Sequence, residues 1–323
     1  MKTPYINFGS DFLEGVYSSN LCDTKLFPEI LEEVIFIIFH NLKEVKAKNT
    51  LSLVDKTFNR IWTPLVTKIV TKDNCSNEDL LLLASKFTNV TSLNLQSNKK
   101  ITKGISHFKK LIYLDLSADF NLNLSHDFVG SPLVQSNEIA NLTNLITLKL
   151  FCNGVIDDSG VYNLINLTEL NLEGNEQITD EGIRNLTKLK SLNLCAHRLN
   201  HFENYNIKIT DAAFSNFTNL NYLNLKCNRS ISNLSIIKNI CLTNLNLAGN
   251  KKITNEGIEK LNLIDLDLSG NFTITNDAVV KLTNLVYLNL NLIIDDCRKH
   301  AECIISNDGI SELINQGLLI RNT

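Results

Sequence analysis

The sequence has no long hydrophobic run, no excess of one charge sign and no basic stretch. Its longest strongly apolar run, VIFIIF at residues 34–39, is far shorter than the roughly 20 residues that span a bilayer. The formal net charge is −3 with both signs interspersed, so no basic stripe predicts a nucleic-acid partner. Residues 1–12 lack the basic and apolar regions of a signal peptide. We therefore expect a soluble protein of the cytoplasm or nucleus, or of a host cell if it is viral, without a membrane or nucleic-acid partner.

Motifs for catalysis and metal binding are missing as well. There is no GxGxxG, no P-loop and no GxSxG. The stretch CRKHAEC, at residues 297–303, offers two cysteines and a histidine but no evident fourth ligand for zinc. The eight cysteines are widely spread, which favours free thiols over a disulfide framework; they are Cys22, Cys75, Cys152, Cys195, Cys227, Cys241, Cys297 and Cys303. The sequence thus predicts no enzyme, no cofactor and no metal site.

What the chain does contain is asparagine, at 45 of 323 residues, and a repeated Leu-x-Leu pair. The pairs recur every 21 or 22 residues except across two longer gaps, residues 117–147 and 195–222, and an irregular stretch follows the last pair. The nine pairs are Leu93/Leu95, Leu114/Leu116, Leu148/Leu150, Leu170/Leu172, Leu192/Leu194, Leu223/Leu225, Leu245/Leu247, Leu266/Leu268 and Leu288/Leu290. A fixed period of this length indicates an array of stacked structural repeats.

Each repeat predicts a short strand followed by a turn. Alternating leucines make a strand with one buried face. In several repeats an asparagine follows the strand at a fixed offset and can hold a turn by bonding local backbone; these are Asn175, Asn228, Asn250 and Asn271. Cys152 and Cys227 lie beside the turn asparagine at equivalent repeat positions, and we interpret them as small residues that pack in the turn.

The second half of each repeat predicts a short outer helix. Thr179 or Asp180 is the expected N-cap, and Ile183 and Leu186 are expected to face inward. Burying four or five aliphatic side chains stabilises one repeat by roughly 1.5–3 kcal/mol each. Ordering about 22 residues costs on the order of 1–2 kcal/mol per residue. One repeat therefore cannot fold alone, and the repeats must stack into a continuous solenoid with capped ends.

The pattern L-x-x-L-x-L-x-x-N resembles the leucine-rich repeat, over roughly residues 89–319. The second half of the motif, ITDEGI at residues 178–183, resembles the variants of F-box-type leucine-rich-repeat proteins. The resemblance implies an α/β fold: a curved horseshoe with a parallel β-sheet on the concave face and short helices or turns on the convex face. We assign residues 65–323 to this domain, as about nine to ten repeats of about 22 residues.

The residues between the paired leucines are expected on the concave face. This column consists of Asn94, Asp115, Lys149, Asn171, Asn193, Asn224, Asn246, Asp267 and Asn289. Its asparagines can form a hydrogen-bonded ladder of stacked amides or a stripe that binds a partner, and both interpretations stay open. Outward aromatic and charged neighbours are the better candidates for specificity. The predicted partner-binding residues are Tyr113, Lys149, Phe151, Glu169, Asn171, Glu173, Tyr222, Lys226, Asp265, Asp267 and Tyr287.

The three irregular segments all leave the repeat just after the strand. They should therefore emerge on one edge of the horseshoe, where insertions often form a binding rim. Neutral growth of a loop is the alternative. The candidate rim residues of the middle insertion are His197, Arg198, His201, Phe202 and Tyr205.

Residues 25–64, which follow a tail at 1–24, have a different pattern, with two apolar stripes at helical spacing. This segment resembles the F-box, although Glu29 follows Pro28 directly and Phe58 replaces the usual tryptophan. The matching residues are Leu26, Pro28, Glu29, Ile30, Leu31, Val34, Ile35, Leu51, Val54 and Phe58. A helical cap that merely shields the first repeat is the alternative.

The F-box resemblance implies a role without catalysis. It implies that the N-terminal segment docks onto a Skp-type linker protein of a cullin–RING ubiquitin ligase, while the repeats hold the protein substrate. Such a subunit acts by raising effective concentration and orienting the substrate. A leucine-rich-repeat binding module with no ubiquitin link is the second hypothesis.

Overall fold

The structure is a computed structural model that describes residues 64, 66–71, 75–118, 133–196, 208–291, 305–306 and 308–321. The F-box-like positions between Leu26 and Phe58, the rim residues between His197 and Tyr205, and the CRKHAEC stretch all lie outside the described residues. The predictions for those segments therefore stay predictions.

The described strands form one parallel sheet of eleven strands in strict chain order. The strands are β1 (Lys68–Val70), β2 (Ser92–Asn94), β3 (Tyr113–Asp115), β4 (Thr147–Lys149), β5 (Glu169–Asn171), β6 (Ser191–Asn193), β7 (Tyr222–Asn224), β8 (Asn244–Asn246), β9 (Asp265–Asp267), β10 (Tyr287–Asn289) and β11 (Leu319–Arg321). The register aligns the central residues of neighbouring strands, as for Leu170 with Leu192. The leucine-rich-repeat solenoid predicted from the sequence is thus the observed fold.

Two strands lie outside the nine Leu-x-Leu pairs. β1 pairs with β2 through Ile69, and β11 pairs with β10 through Ile320. Both have isoleucine where the other strands have their first leucine, and the second leucine is replaced by Thr71 in one and Asn322 in the other. A search for paired leucines cannot detect these two end strands.

A helical segment connects each pair of consecutive strands. The α-helices are α1 (Asn77–Lys86), α2 (Ser136–Ile139), α3 (Asp158–Val161), α4 (Asp180–Ile183), α5 (Asn233–Ile237), α6 (Asn255–Ile258), α7 (Asn276–Val279) and α8 (Ser311–Asn315), and the 3-10 segments are Ile105–His107, Asp211–Asn216 and Asp308–Ile310. Thr179 is the N-cap of α4 and accepts a hydrogen bond from the Glu181 N–H at 3.2 Å, so the first of the two expected caps is confirmed. In the part of the chain that the structure describes, no helix is long and apolar enough to cross a membrane.

The core lies between the sheet and these helices. Both leucines are buried in the first eight pairs, as at Leu93 and Leu95, which are fully enclosed; in the ninth pair Leu288 is buried and Leu290 is partly exposed. Ile183 and Leu186 are also fully buried, which confirms that they face inward. Since every repeat contributes the same aliphatic positions, the core is continuous from one repeat to the next.

The turn asparagines form a buried column along the solenoid. Asn250 shows the pattern: its Oδ1 accepts from the backbone N–H groups of Lys252 at 2.8 Å and Ile253 at 3.0 Å. Its Nδ2 donates to the carbonyl oxygens of Leu225 at 3.0 Å and Asn228 at 2.9 Å, both in the preceding repeat. The members of the column, which are all buried, are Asn98, Asn153, Asn175, Asn228, Asn250 and Asn271. The predicted role of these asparagines in the turn is confirmed, and they also join neighbouring repeats.

The residue before each turn asparagine has a left-handed backbone. Cys152 and Cys227 have φ of 48° and 55°, while Gly174 has 64° and Gly249 has 60° at the same repeat position. Glycine adopts this conformation without steric cost, whereas an L side chain is strained by roughly 1–2 kcal/mol. The two cysteine positions are therefore defined by a left-handed backbone rather than by packing in the turn. The glycines at the same offset in other repeats are the sequence signal for this backbone conformation.

A second set of hydrogen bonds links the outer helices. Asp158, the first residue of α3, accepts from both the N–H and the hydroxyl of Thr179, each at 2.7 Å. Asn233, the first residue of α5, binds Thr254 through Oδ1 and Nδ2, at 3.0 and 2.7 Å. In the second case the Thr254 hydroxyl accepts the amide proton and makes no capping bond of its own. This link between the first residue of one helix and the N-cap of the next was not predicted from the sequence.

Candidate protein-binding face

The outward side chains of β2–β10 form a surface that we call the sheet face. Strand alternation and the register sort it into three columns. The first column contains Ser92, Tyr113, Thr147, Glu169, Ser191, Tyr222, Asn244, Asp265 and Tyr287. The middle column is the one predicted between the paired leucines. The third column lies two residues past the end of each strand and contains Gln96, Ser117, Phe151, Glu173, Cys195, Lys226, Ala248, Ser269 and Asn291, of which Ser117, Cys195, Ala248 and Ser269 are buried. All the predicted partner-binding residues fall on this face.

The middle column is not the ladder of stacked amides that was one expectation. The Oδ1 of Asn171 accepts from the backbone N–H of Glu173 at 2.9 Å, and the Oδ1 of Asn193 accepts from Cys195 at 3.0 Å. Asp267 makes the same local bond to Ser269 at 2.9 Å. The acceptor therefore caps the N–H that follows the strand, which has no partner in the sheet. The hydrogen-bonded column that joins repeats is that of the turn asparagines.

Tyr113 and Lys149 form a cluster at one part of the sheet face. The Lys149 Nζ lies 5.5 Å from the centroid of the Tyr113 ring, a cation–π arrangement. The Tyr113 hydroxyl donates to Asp115 Oδ2 at 3.2 Å. Burial raises the pKa of Tyr113 to about 12, and the Asp115 carboxylate adds to the shift. The phenol therefore stays protonated at neutral pH and Lys149 is held against its ring.

A cavity of about 230 Å³ lies next to this cluster on the sheet face. It is lined by Lys149, Glu169, Leu170, Asn171, Ser191, Asn193 and Tyr222. Tyr222 is the exposed wall, with 38% of its surface accessible. The sequence predicted Lys149, Glu169, Asn171 and Tyr222 as binding residues, and the structure brings them together here. Ser191 was missed because a small serine carries no signal apart from its place in the first column.

Two glutamates, one on β5 and one two residues past its end, are held by neutral donors. Glu169 Oε2 accepts from the Thr147 hydroxyl at 3.3 Å, and Glu173 Oε2 accepts from Asn193 Nδ2 at 3.0 Å. Burial raises the pKa of the Cys195 thiol, and the neighbouring Glu173 carboxylate raises it further. Cys195 is therefore a protonated, buried thiol, which excludes it as a reactive nucleophile at neutral pH.

The other predicted residues lie farther along the face. Asp265 and Asp267 are on β9 and Tyr287 is beside them on β10. Asp267 Oδ2 accepts from Asn246 Nδ2 at 3.2 Å. Phe151 and Lys226 occupy the third column, two residues past the ends of β4 and β7. The predicted residues thus form an extended surface rather than one pocket.

The residues that precede the three irregular segments occupy similar positions in their repeats. Ala118, Ala196 and Asn291 are each two or three residues beyond the middle-column position of β3, β6 and β10. Because the strands are parallel, these three points lie along the same edge of the sheet. The insertions themselves lie outside the described residues, so their common exit on this edge stays a prediction. Within the described ranges, no group of three His, Cys, Asp or Glu side chains could hold a metal ion.

Comparison with known proteins agrees with the fold. The family model "Leucine Rich repeat" matches residues 141–165, 163–187 and 238–261. The crystal structure of the Rad7–Elc1 complex in yeast is similar at 19% identity over 80% of this chain and 74% of that chain, with a TM-score of 0.46. The internalin InlF of Listeria monocytogenes is similar at 20% identity over 70% of this chain and 74% of that chain, with a TM-score of 0.40. A search of the curated proteins gives no match.

The chain therefore contains leucine-rich repeats and folds as a leucine-rich-repeat solenoid. Its class is that of the protein-interaction modules built on this fold.

Proposed function

We propose that the protein is a non-enzymatic recognition subunit whose sheet face binds a protein substrate. The observation that carries this proposal is the exposed aromatic ring of Tyr222, which forms one wall of a cavity on the sheet face. Exposed tyrosines beside a pocket are frequent anchors of protein interfaces. The regular hydrogen bonding of the strands and turns holds these side chains on a rigid scaffold, which limits the entropy lost on binding.

We further propose that residues 25–64 dock onto a Skp-type linker of a cullin–RING ubiquitin ligase. The support is the F-box-like pattern from Leu26 to Phe58, followed directly by the repeats. A subunit of this kind raises the effective concentration of the substrate at the ligase and contributes no catalytic group. The alternative, a repeat module with a helical N-terminal cap and no ubiquitin link, shares the sheet-face proposal and differs only in this docking step.

Tyr222→Arg is expected to abolish partner capture. The bulky charged side chain fills the cavity and removes the aromatic anchor, whereas the fold keeps its core because Tyr222 faces away from it. The measurement is affinity capture from an extract of the source cells with the full chain as bait, quantified by mass spectrometry. Ile237→Arg is the matched control, because Ile237 is similarly exposed, at 44%, but lies on α5 on the opposite side of the repeat. Proteins retained equally by both variants would contradict binding through the sheet face.

Ligase docking is tested separately with a purified Skp-type protein. The full chain is expected to bind this protein with a Kd of about ten micromolar or tighter. The double substitution Pro28→Ala and Ile35→Asp is expected to weaken binding at least tenfold. Isothermal titration calorimetry measures both affinities. Absence of wild-type binding at tens of micromolar would remove the ubiquitin link and favour the alternative.

A further inference from the structure

Tyr113 and Tyr222 occupy the same column of the sheet face but differ in what covers their rings. The middle-column residue of the strand after Tyr113 is Lys149, whose ammonium group lies over that ring. The corresponding residue after Tyr222 is Asn246, which is neutral. Within the described residues no cation lies over Tyr222. The ring on β3 is thus covered by a cation of the same chain, whereas the ring on β7 is not covered by any described cation.

Two carboxylates lie near the open ring, one on β5 and one just after it. Glu169 lines the same cavity as Tyr222. Glu173, four residues farther along the chain, adds to the negative potential at Tyr222. The distance from β5 to β7 is two strand spacings, about 10 Å. In the described part of the chain Glu169 accepts from the Thr147 hydroxyl, Glu173 accepts from Asn193 and from the Cys195 thiol, and neither forms an ion pair. Each carboxylate can therefore accept further hydrogen bonds from another molecule.

The charge on the sheet face has one dominant sign. The three columns contain five carboxylates, Asp115, Glu169, Glu173, Asp265 and Asp267, but only two basic residues, Lys149 and Lys226. Burial raises the pKa of Tyr222, and Glu173, Asp265 and Asp267 raise it further, which indicates a negative potential at the ring. Lys149, the one basic residue lining the cavity, is positioned over Tyr113. Charge complementarity therefore favours a basic partner.

We propose that the surface formed by Glu169, Glu173 and Tyr222 binds an arginine side chain from an extended segment of a protein partner. The guanidinium group stacks on the Tyr222 ring and donates hydrogen bonds to Glu169 in the cavity, while Glu173 adds negative charge beside the ring. Arginine fits better than lysine because its planar, weakly hydrated fork can stack on a ring and bind a carboxylate at the same time. The cavity of about 230 Å³ is below the range of roughly 300–1,000 Å³ typical of small-molecule sites, so one side chain is its natural occupant. The inference rests on the proposed function, because it names the chemistry of the partner that the sheet face binds.

The test is selection of random linear twelve-residue peptides, displayed on phage, against the immobilised full chain. Arginine is expected to be enriched over its frequency in the starting library. The affinity of the best peptide for the chain is then measured by fluorescence anisotropy. Glu169→Gln with Glu173→Gln is expected to weaken binding at least tenfold while preserving the hydrogen bonds from Thr147 and Asn193, since an amide oxygen also accepts. Glu181→Gln with Glu256→Gln removes the same charge from exposed positions on the outer helices and is expected to change nothing.

A second pair of variants isolates the stacking. Tyr222→Phe keeps an aromatic face and is expected to retain affinity, whereas Tyr222→Leu is expected to lose about tenfold. Replacing the selected arginine by lysine in the peptide is expected to weaken binding as well. Urea denaturation of each variant without peptide is the folding control, because these variants are expected to share the urea midpoint of the wild-type protein.

The outcomes separate this inference from the proposed function. Peptides that lose binding on Tyr222→Arg but show no arginine enrichment, or are acidic, overturn the arginine site and leave the sheet face as the binding surface. Peptides that bind equally well to the Tyr222→Arg variant count against both the arginine site and binding through the sheet face. A selection that returns no specific peptide overturns the arginine site.

Discussion

Asn250→Ala is expected to lower the free energy of unfolding by about 3–5 kcal/mol, the largest effect of a single substitution that we predict. The side chain makes four hydrogen bonds, two as acceptor from Lys252 and Ile253 and two as donor to Leu225 and Asn228. Asn250 is fully buried, so water cannot replace these bonds. Urea denaturation followed by circular dichroism gives the change in midpoint and slope. Asn250 also joins two repeats, so the transition is expected to broaden as coupling along the solenoid weakens.

Asn246→Ala is the matched control for this prediction. Asn246 lies four residues earlier and is half-exposed on the sheet face. Its Oδ1 accepts from the Ala248 N–H at 2.9 Å, and its Nδ2 donates to Asp267 at 3.2 Å, where water can replace both bonds. Its substitution is expected to cost about 1 kcal/mol. Equal losses for the two variants would show that burial of the hydrogen-bonded amide does not distinguish the two asparagine columns.

Gly257→Ala is expected to destabilise the protein by about 2 kcal/mol, although alanine is the better helix former by about 1 kcal/mol. A Cβ at this position would lie 2.5 Å from Asn233 Oδ1 and 3.0 Å from Ile253 Cγ2. Asn233 is the residue that binds Thr254, so the clash breaks the link between α5 and α6. Thermal and urea denaturation measure the change in stability.

Gly154→Ala provides the comparison for the glycine substitution. No heavy atom lies within 4 Å of the Cβ that would be added there, and Gly154 is exposed. Its effect is expected to stay within about 0.5 kcal/mol. If Gly257→Ala instead raised the melting temperature, the outer helices would be packed less closely than the structure shows.

Much of the fold was predictable because a solenoid is nearly one-dimensional. Each repeat packs mainly on its two neighbours, so the local order of Leu170, Leu172, Asn175 and Ile183 already specifies strand, turn and helix. The strands at the two ends were not predicted as repeats, because they have Ile69 and Ile320 in place of the first leucine of the pair. Their pairing is set by contact with β2 and β10, and no internal pattern of the segments reveals it.

Two kinds of asparagine were harder to separate. Asn171 and Asn175 both recur at fixed offsets, and the sequence predicted a turn role for one and left two interpretations for the other. The structure shows that Asn171 caps its own strand end, while Asn175 donates to the Asn153 carbonyl oxygen of the preceding repeat at 2.7 Å. The difference depends on whether a carbonyl oxygen of the preceding repeat lies within hydrogen-bonding distance of the asparagine amide. That distance is set by how the repeats stack, which the residue type alone does not reveal.

The sequence by itself determined the repeat, the buried leucines, the turn asparagines and the set of side chains on the sheet face, because a period of 21 or 22 residues repeats one local geometry. Only the tertiary structure decided which of those side chains meet. Glu169 and Tyr222 are distant in the chain and line one cavity because β5, β6 and β7 are neighbours in the sheet. Tyr222 is open where Tyr113 is covered because the strands that follow them carry Asn246 and Lys149 in the same register. The arrangement of side chains on the sheet face thus arises from contacts between repeats, whereas the scaffold arises from the pattern within each repeat.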